Sequence, residues 1–403
     1  MPFRELTWKG TYLLFWEANK MAWIRFNEPF GTEEIVKMAV ETVGLHLYEQ
    51  RTVEEQLRQK MASLELYQGI VAPFFMQSGT AALEVMALAM EFTPGEEVIL
   101  PSFTYPATAN AFLMAGARLV FADIEPDTLN LDPKSVERLL SSRTKAIVPI
   151  HYGGVAADVP QLEKLAESCG AVLLEDAAHC IGASFRGKPL GTFGAMGTLS
   201  FHSTKNITSA GFGGCLFVED SNRRSMVEEI TVQGTDRAAY RAGRVSAYRW
   251  KRQGGEYVMP VFSMAYLRAS LERLEEVTER RKMLWKKYHE LLSPLEEEGF
   301  LKLCKVPESA GINGHVFYVL LKDRKEREGL KHHLHERRIE AFSHYEPLHD
   351  TIIGRSAGRC DGEMEITGSI SGRILRLPMH MELSTDQVER ICQAVEEFHR
   401  KRF

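Results

Sequence analysis

The chain has 403 residues, 44% of them apolar and 26% charged, with a formal net charge of −5. That length suits one large domain with a smaller companion, and the mildly acidic balance excludes a nucleic-acid or anionic-membrane binder driven by charge. No apolar stretch approaches the roughly twenty residues of a membrane span, and Met1-Pro2-Phe3-Arg4-Glu5-Leu6 lacks the charged-then-apolar pattern of a signal peptide.

Residues 1–25 read as an N-terminal extension of uncertain structure, since Trp8, Tyr12, Leu13, Leu14, Phe15 and Trp16 follow no period. From Glu33 to Leu66 apolar Ile35, Val36, Met38, Leu57 and Leu64 recur among charges at helical spacing. Short apolar runs then appear at Val98-Ile99-Leu100, Leu119-Val120-Phe121, Ala146-Ile147-Val148, Val172-Leu173-Leu174, Leu199-Ser200-Phe201 and Cys215-Leu216-Phe217-Val218. Amphipathic segments such as residues 80–91 and 159–168 lie between them. This alternation predicts an α/β domain with a mostly parallel, doubly wound sheet over residues 26–262.

Residues 263–292 carry one long helical pattern through Leu267, Leu271, Leu274, Thr278, Arg281, Trp285 and Tyr288, the expected connector out of the large domain, ending near residue 295. Strand-like runs at 316–321 and 374–377, with helical runs at 326–338 and 385–400, predict a smaller α+β domain over residues 296–403. The six cysteines are scattered with no CxxC pair. They suit reduced thiols in a cytoplasmic protein better than disulfides or zinc. His344 and His349 flank a proline five residues apart, which is not a helical ligand pair, so packing or substrate contact is favoured over a metal.

Four segments carry chemistry. Gln77-Ser78-Gly79-Thr80 opens a predicted helix whose free N–H groups suit a phosphate, although an ordinary helix cap has the same residues. Phe103 and Tyr105 follow the first strand; either is an aromatic for stacking on a flat ring, Tyr105 preferred, or a core residue. Asp176 ends a run of apolar residues and needs a partner if buried, the alternative being a helix cap. Lys205 lies in Ser200-Phe201-His202-Ser203-Thr204-Lys205-Asn206, among small and hydroxyl residues beside a strand, before a glycine run at Gly211, Gly213 and Gly214. That setting suits a lysine of lowered pKa acting as nucleophile and proton shuttle, and Ser200 is a further phosphate donor. A carboxylate that holds a pyridine nitrogen protonated and a lysine that binds an aldehyde are the protein groups pyridoxal phosphate needs most.

The ordered set SGT, PSFTYPATANAF, HYGGVAADV, EDAAH, SFHSTKN and HYEPLH resembles the pyridoxal-phosphate-dependent sugar-nucleotide aminotransferases of fold type I, from about Ile24 onward. Gly234-Thr235-Asp236-Arg237, Arg241-Ala242-Gly243-Arg244-Val245 and Tyr248-Arg249-Trp250 are most similar to the dTDP-4-amino-4,6-dideoxygalactose transaminases. The resemblance implies L-glutamate as donor and a dTDP-4-keto-6-deoxyhexose as acceptor. It also implies a cytoplasmic homodimer with shared active sites, making amino sugars for lipopolysaccharide or another cell-surface polysaccharide. By motif position, Lys205 and Asp176 are catalytic. Ser78, Gly79, Thr80, Tyr105, His179 and Ser200 join them in holding the cofactor, and His179, Arg237, Arg241, Arg244, His344 and Tyr345 face substrate. The alternative for the arginines is a charged surface loop. Phe212 stands where relatives carry glutamate, and Glu256 where many carry asparagine. These departures leave open another keto sugar or a keto-cyclitol as acceptor, and a binding or regulatory protein that keeps the fold without turnover.

Overall fold

Eight short segments pair into one sheet in the computed structural model, which describes residues 23–46, 49–360, 362 and 364–400. Most of the extension expected over residues 1–25 lies outside the described residues. The first strands are β1 (Phe74–Met76), β2 (Glu97–Pro101), β3 (Arg118–Ala122), β4 (Thr144–Ile147) and β5 (Val172–Asp176). A short hairpin, β6 (Ser184–Phe185) and β7 (Lys188–Pro189), precedes β8 (Met196–Ser200) and β9 (Gly214–Val218). In the C-terminal part lie β10 (Lys302–Leu303), β11 (Ala310–Gly311), β12 (Phe317–Leu320), β13 (Gly358–Cys360) and β14 (Ile374–Leu377).

The large sheet runs β1-β9-β8-β5-β4-β2-β3-β13. β9 is antiparallel to both neighbours, and the other pairings are parallel. The fold is therefore, as expected, α/β: a mostly parallel sheet joined to a smaller α+β unit. Its central strands are apolar because helices cover both faces and no side meets water. Helix Gly79–Leu88 packs on β8 and β9, and helix Val159–Cys169 packs on β4 and β5. The second of these starts at Asp158, whose side chain caps Gln161 N–H, and stops at Gly170, whose φ of 71° takes the left-handed cap that returns the chain into β5.

β10, β12 and β14 form a separate antiparallel sheet in the order β10-β12-β14, covered by helices Leu274–Glu297, Arg324–Glu336 and Thr385–Arg400. The long helix expected over 263–292 is two helices, Val261–Leu271 and Leu274–Glu297. Glu272 and Arg273 bond back to Ala269 and Ser270 instead of continuing the ladder. The apolar spacing of Leu267, Leu271 and Leu274 runs through that break, so periodicity alone could not show it.

The C-terminal part also returns to the large sheet. β13 pairs with β3 at the edge, and Arg359 reaches the buried Glu97 carboxylate at 2.8 Å, where Arg143 also bonds at 2.9 Å. Asp123, just after β3, accepts from the N–H groups of Ile366 (3.1 Å) and Thr367 (2.8 Å) at the start of helix Glu365–Arg373. These ties hold residues 343–357 across the carboxyl ends of the parallel strands. No helix among the described residues is long and apolar enough to cross a membrane.

Candidate active site

The carboxyl ends of β2, β4, β5 and β8 open onto a cavity of about 690 Å³, the position where doubly wound sheets hold ligands. Strand alternation sends Glu175 and Asp176 to opposite sides. Glu175 is buried away from the cavity and accepts from His151 Nε2 (2.9 Å) and from the N–H groups of Gly191 (3.0 Å), Phe193 (2.6 Å) and Gly194 (2.7 Å). Burial alone would raise its pKa, but His151 and these N–H groups hold it below the ordinary carboxylate value. Asp176 lines the cavity. Its Oδ2 accepts from Thr108 Oγ1 at 2.6 Å and its Oδ1 from Ala178 N–H at 3.0 Å, which fixes the plane of the carboxylate.

Lys205 enters the same cavity from the loop after β8. That loop is closed by Lys205 N–H to His202 O (2.9 Å) and Ser203 N–H to Gly211 O (2.8 Å). Its neighbour Asn206 is buried, donating to Asn313 O at 3.0 Å and accepting from His315 Nδ1 at 2.8 Å. Burial pushes the Lys205 amine down to about 8; Asp176 opposes this and the Arg376 charge adds to it.

His179 is buried on the cavity wall. Its Nδ1 accepts from Gly153 N–H at 3.2 Å, so the ring hydrogen sits on Nε2. Burial, then the charges of Lys205 and Arg376, keep it neutral, with a pKa well below the usual histidine value. His315 lies against it with ring centroids 4.4 Å apart.

At the far end, Ser78 caps helix Gly79–Leu88 by accepting Ala81 N–H at 2.9 Å. The N–H groups of Gly79 and Thr80 precede the helix's own ladder and face the cavity wall. A Cβ on Gly79 would sit 2.9 Å from Ser200 Cβ, so only glycine lets the strand end and the helix start approach this closely.

A loop from the C-terminal part closes the remaining side. Ser102 Oγ and His349 Nδ1 are 2.7 Å apart, and Leu348 N–H donates to Ser102 O at 3.0 Å, which places His344 and Tyr345 on the wall. Tyr105 also lines the cavity and is 62% exposed, whereas Phe103 is buried between Tyr152 and Tyr345. Of the two aromatics, it is Tyr105 that faces the open space.

Residues 49–396 match the DegT/DnrJ/EryC1/StrS aminotransferase family. The chain belongs to that family. It is 32% identical over 324 residues, 80% of this chain and 84% of the other, to the "Pleiotropic regulatory protein" of Geobacillus stearothermophilus. Among solved structures, a DegT DnrJ EryC1 StrS aminotransferase from Brucella abortus matches with a TM-score of 0.81 and 26% identity, covering 91% of this chain and 96% of that one. The aminotransferase TlmJ from Streptoalloteichus hindustanus shares the fold, with a TM-score of 0.83 at 24% identity, over 95% of this chain and 100% of that one.

A DegT/DnrJ/EryC1/StrS aminotransferase is a pyridoxal-phosphate enzyme, and the residues present fit that cofactor. The glycine-narrowed helix start beside Ser200 matches a phosphate, the donor-braced carboxylate of Asp176 matches a pyridinium, and a lysine of lowered pKa matches an aldehyde. The structure brings Ser78, Gly79, Thr80, Tyr105, Asp176, His179, Ser200, Lys205, His344 and Tyr345 to one cavity.

Arg237, Arg241 and Arg244 are not among its walls. They belong to an excursion closed by a bridge between Thr235 and Trp250, in which residues 240–250 are exposed and the Arg237 guanidinium lies 5.5 Å over the Tyr248 ring. Phe212 lines the cavity against His202, while Glu256 is exposed outside it. Sequence reasoning passed over Thr108, His315 and Arg376. For Arg376 a signal existed, a lone charge inside Ile374-Leu375-Arg376-Leu377; Thr108 and His315 carried none.

Proposed function

We propose that the protein moves an amino group from L-glutamate to a keto sugar nucleotide, dTDP-4-keto-6-deoxyglucose giving dTDP-4-amino-4,6-dideoxygalactose. The observation that carries amino transfer is the meeting of Lys205 and Asp176 in one cavity with a phosphate cradle at its far end. When bound, pyridoxal phosphate supplies an aldehyde for the amine and a ring that withdraws electrons from the reacting carbon. Asp176 would keep the ring nitrogen charged. Lys205 Nζ takes the proton from the donor Cα and delivers one to the sugar carbon that receives nitrogen. The N–H groups of Gly79 and Thr80, with Ser200 Oγ, would hold the phosphate, Tyr105 would lie against the ring, and the neutral His179 would offer its Nε2–H.

The acceptor assignment rests on the arginine-bearing excursion at residues 234–250. In a homodimer this arm would reach the neighbouring cavity, where the forked donors of Arg237, Arg241 and Arg244 suit a diphosphate. Exposed Tyr240, Tyr248 and Trp250 on the same arm suit burial against a second copy. The six free thiols suit work in the cytoplasm. Phe212 and Glu256 favour a second reading in which another keto sugar or a keto-cyclitol is the acceptor.

The deciding experiment follows the visible absorbance of the pyridoxal-loaded protein as glutamate is added, then supplies a panel of keto acceptors. Conversion by glutamate in wild type and its loss in Lys205→Ala support amino transfer. Amination of a different acceptor, with none of dTDP-4-keto-6-deoxyglucose, would replace the substrate while keeping the chemistry. Sedimentation as a monomer would remove the shared site.

A further inference from the structure

The residue after Lys205 is a buried amide. Asn206 is 1% exposed, while His202, Thr204 and Lys205 before it line the cavity. Its Nδ2 donates to Asn313 O at 3.0 Å, and a carbonyl can only accept, so Oδ1 is the atom turned to His315 Nδ1, 2.8 Å away. The His315 ring therefore carries its hydrogen on Nδ1 and leaves Nε2 bare. Burial, then the charges of His179 and Lys205, hold that ring neutral, with a pKa well below the usual histidine value.

The turn at residues 313–315 that receives Asn206 is fixed from two other sides. Asn313 Nδ2 donates to His179 O (2.8 Å) and Ile181 O (2.9 Å), and its Oδ1 accepts from His315 N–H (3.1 Å). Arg281, itself buried, donates to Gly314 O (3.1 Å) and His315 O (3.0 Å). The bonds run from the Lys205 loop through Asn206 and Asn313 to the end of β5 and the residues after it, where Asp176 and His179 sit. Thr208 and Ser209, also buried beyond Lys205, bond instead to Phe30 O (3.4 Å) and Phe201 O (3.2 Å).

Resting on the amino-transfer reading above, we infer that Asn206 is a positioning residue, whose carboxamide sets the spacing between Lys205 and the segment that carries Asp176 and His179. A lysine stem is four flexible carbons, so the precision of its amine depends on where the backbone is held. An amide suits the place because it supplies a donor and an acceptor without a charge. The charged and titratable groups around Lys205 and His315 are Asp176, His179, Cys180, His202, Arg281 and Arg376. Truncating Asn206 removes none of them, so a change in the Lys205 amine reports its position and hydration rather than a lost charge.

The test compares wild type, Asn206→Ala and Asn206→Asp. It reads the pH at which apo-protein takes up pyridoxal phosphate at half its maximal rate, and the glutamate half-reaction of the loaded protein. Water reaching the amine of a loosened loop should move the midpoint of Asn206→Ala up from about 8, toward the ordinary lysine value of 10.5, by at least about one pH unit. Its half-reaction should slow at least about tenfold. Asn206→Asp keeps the His315 bond and loses the one to Asn313 O, so its half-reaction, measured above its own midpoint, should lie between the other two. Lower melting temperatures with a wild-type midpoint and half-reaction would make Asn206 merely structural and overturn the inference. If Asn206→Ala does not fold, the half-reaction of Asn206→Asp judges: slower than wild type supports positioning, equal to wild type overturns it. A wild type that glutamate cannot convert defeats the proposed function, while the midpoint of Asn206→Ala still judges Asn206.

Discussion

Glu175 and Asp176 are adjacent in the chain and face opposite sides of the sheet, one locked to His151 in the interior, the other open to the cavity. Their substitutions should separate. Asp176→Asn keeps the shape and the Thr108 contact but removes the charge that stabilises a protonated ring. The glutamate half-reaction should drop on the order of 10²-fold or more, with thermal stability near wild type. Glu175→Gln should leave the chemistry of surviving folded enzyme intact and destabilise the protein by about 3–5 kcal/mol, the loss typical of breaking a buried pair. The Glu175 pKa is depressed, so its stabilisation is present above the ordinary carboxylate value of 4.5 and lost as pH falls below it. Urea melts from pH 7 to pH 3 should show a steeper acid decline in wild type than in Glu175→Gln. Equal slopes would show that this carboxylate adds nothing to acid sensitivity.

The Lys205 amine, held at about 8 chiefly by burial, should titrate in a functional range. Capture of an aldehyde needs the free base, so the rate at which apo-protein takes up pyridoxal phosphate should rise with pH, be half-maximal near that value and level off above it. Lowering a lysine pKa destabilises the folded state wherever the lysine is charged in the unfolded chain. Between about 8 and the ordinary lysine value of 10.5 the unfolded chain binds more protons, so this penalty shrinks as pH rises. Lys205→Met apo-protein should therefore melt higher than wild type at pH 7, and the gap should narrow by pH 10. A gap independent of pH would point to packing rather than charge.

The strand–helix alternation from Val98 to Val218 was legible because buried parallel strands must be apolar on both faces, and short apolar runs between amphipathic segments have few other readings. Lys205, Asp176 and the Ser78-Gly79-Thr80 turn were legible for a related reason. A charge or a glycine beside an apolar strand violates the local pattern, and such violations collect at sites. β13 was invisible: Gly358-Arg359-Cys360 has no apolar run, and it becomes a strand only because β3 offers an open edge and Glu97 an acid. Thr108 was equally silent, since its contact with Asp176 spans 68 residues of sequence. The arginine arm at residues 234–250 could be named from sequence but not located, because its closure rests on a single bridge between Thr235 and Trp250 that no apolar run marks.

Gly79→Ala sets two effects against each other. Alanine favours a helix over glycine by about 1 kcal/mol, but its Cβ would meet Ser200 Cβ at 2.9 Å and Ser200 Cα at 3.4 Å. Ser200 ends β8, paired with Gly214 of β9, and has no room to retreat. Overpacking of that kind costs about 1–3 kcal/mol, so the clash should win and push the helix start away from the strand. Affinity for pyridoxal phosphate should fall on the order of tenfold or more, while the weak affinity for pyridoxal, which lacks the phosphate, should stay the same. A parallel loss for both ligands would place the damage outside the phosphate cradle.

The cluster that fastens the C-terminal loop to the sheet gives an ordered series. Glu97 is 1% exposed, but Arg143 and Arg359 keep roughly half their side-chain surface in water. Removing Arg359 leaves Glu97 bonded to Arg143 and Ser141 (2.9 Å each), a loss of about 1 kcal/mol. Removing Glu97 strands no buried charge, because both arginines can turn to solvent, and should cost about 1–3 kcal/mol. The double change Arg143→Ala with Arg359→Ala leaves a buried carboxylate with a single hydroxyl donor, and should be the worst at about 3–5 kcal/mol. Urea denaturation gives the ranking directly. Hydrogen exchange at residues 344–360 should rise in the same order, because β13 and Ser102 anchor that stretch from opposite ends. A Glu97→Ala protein less stable than the double arginine variant would mean that the carboxylate's packing, not its charge, holds the loop over the cavity.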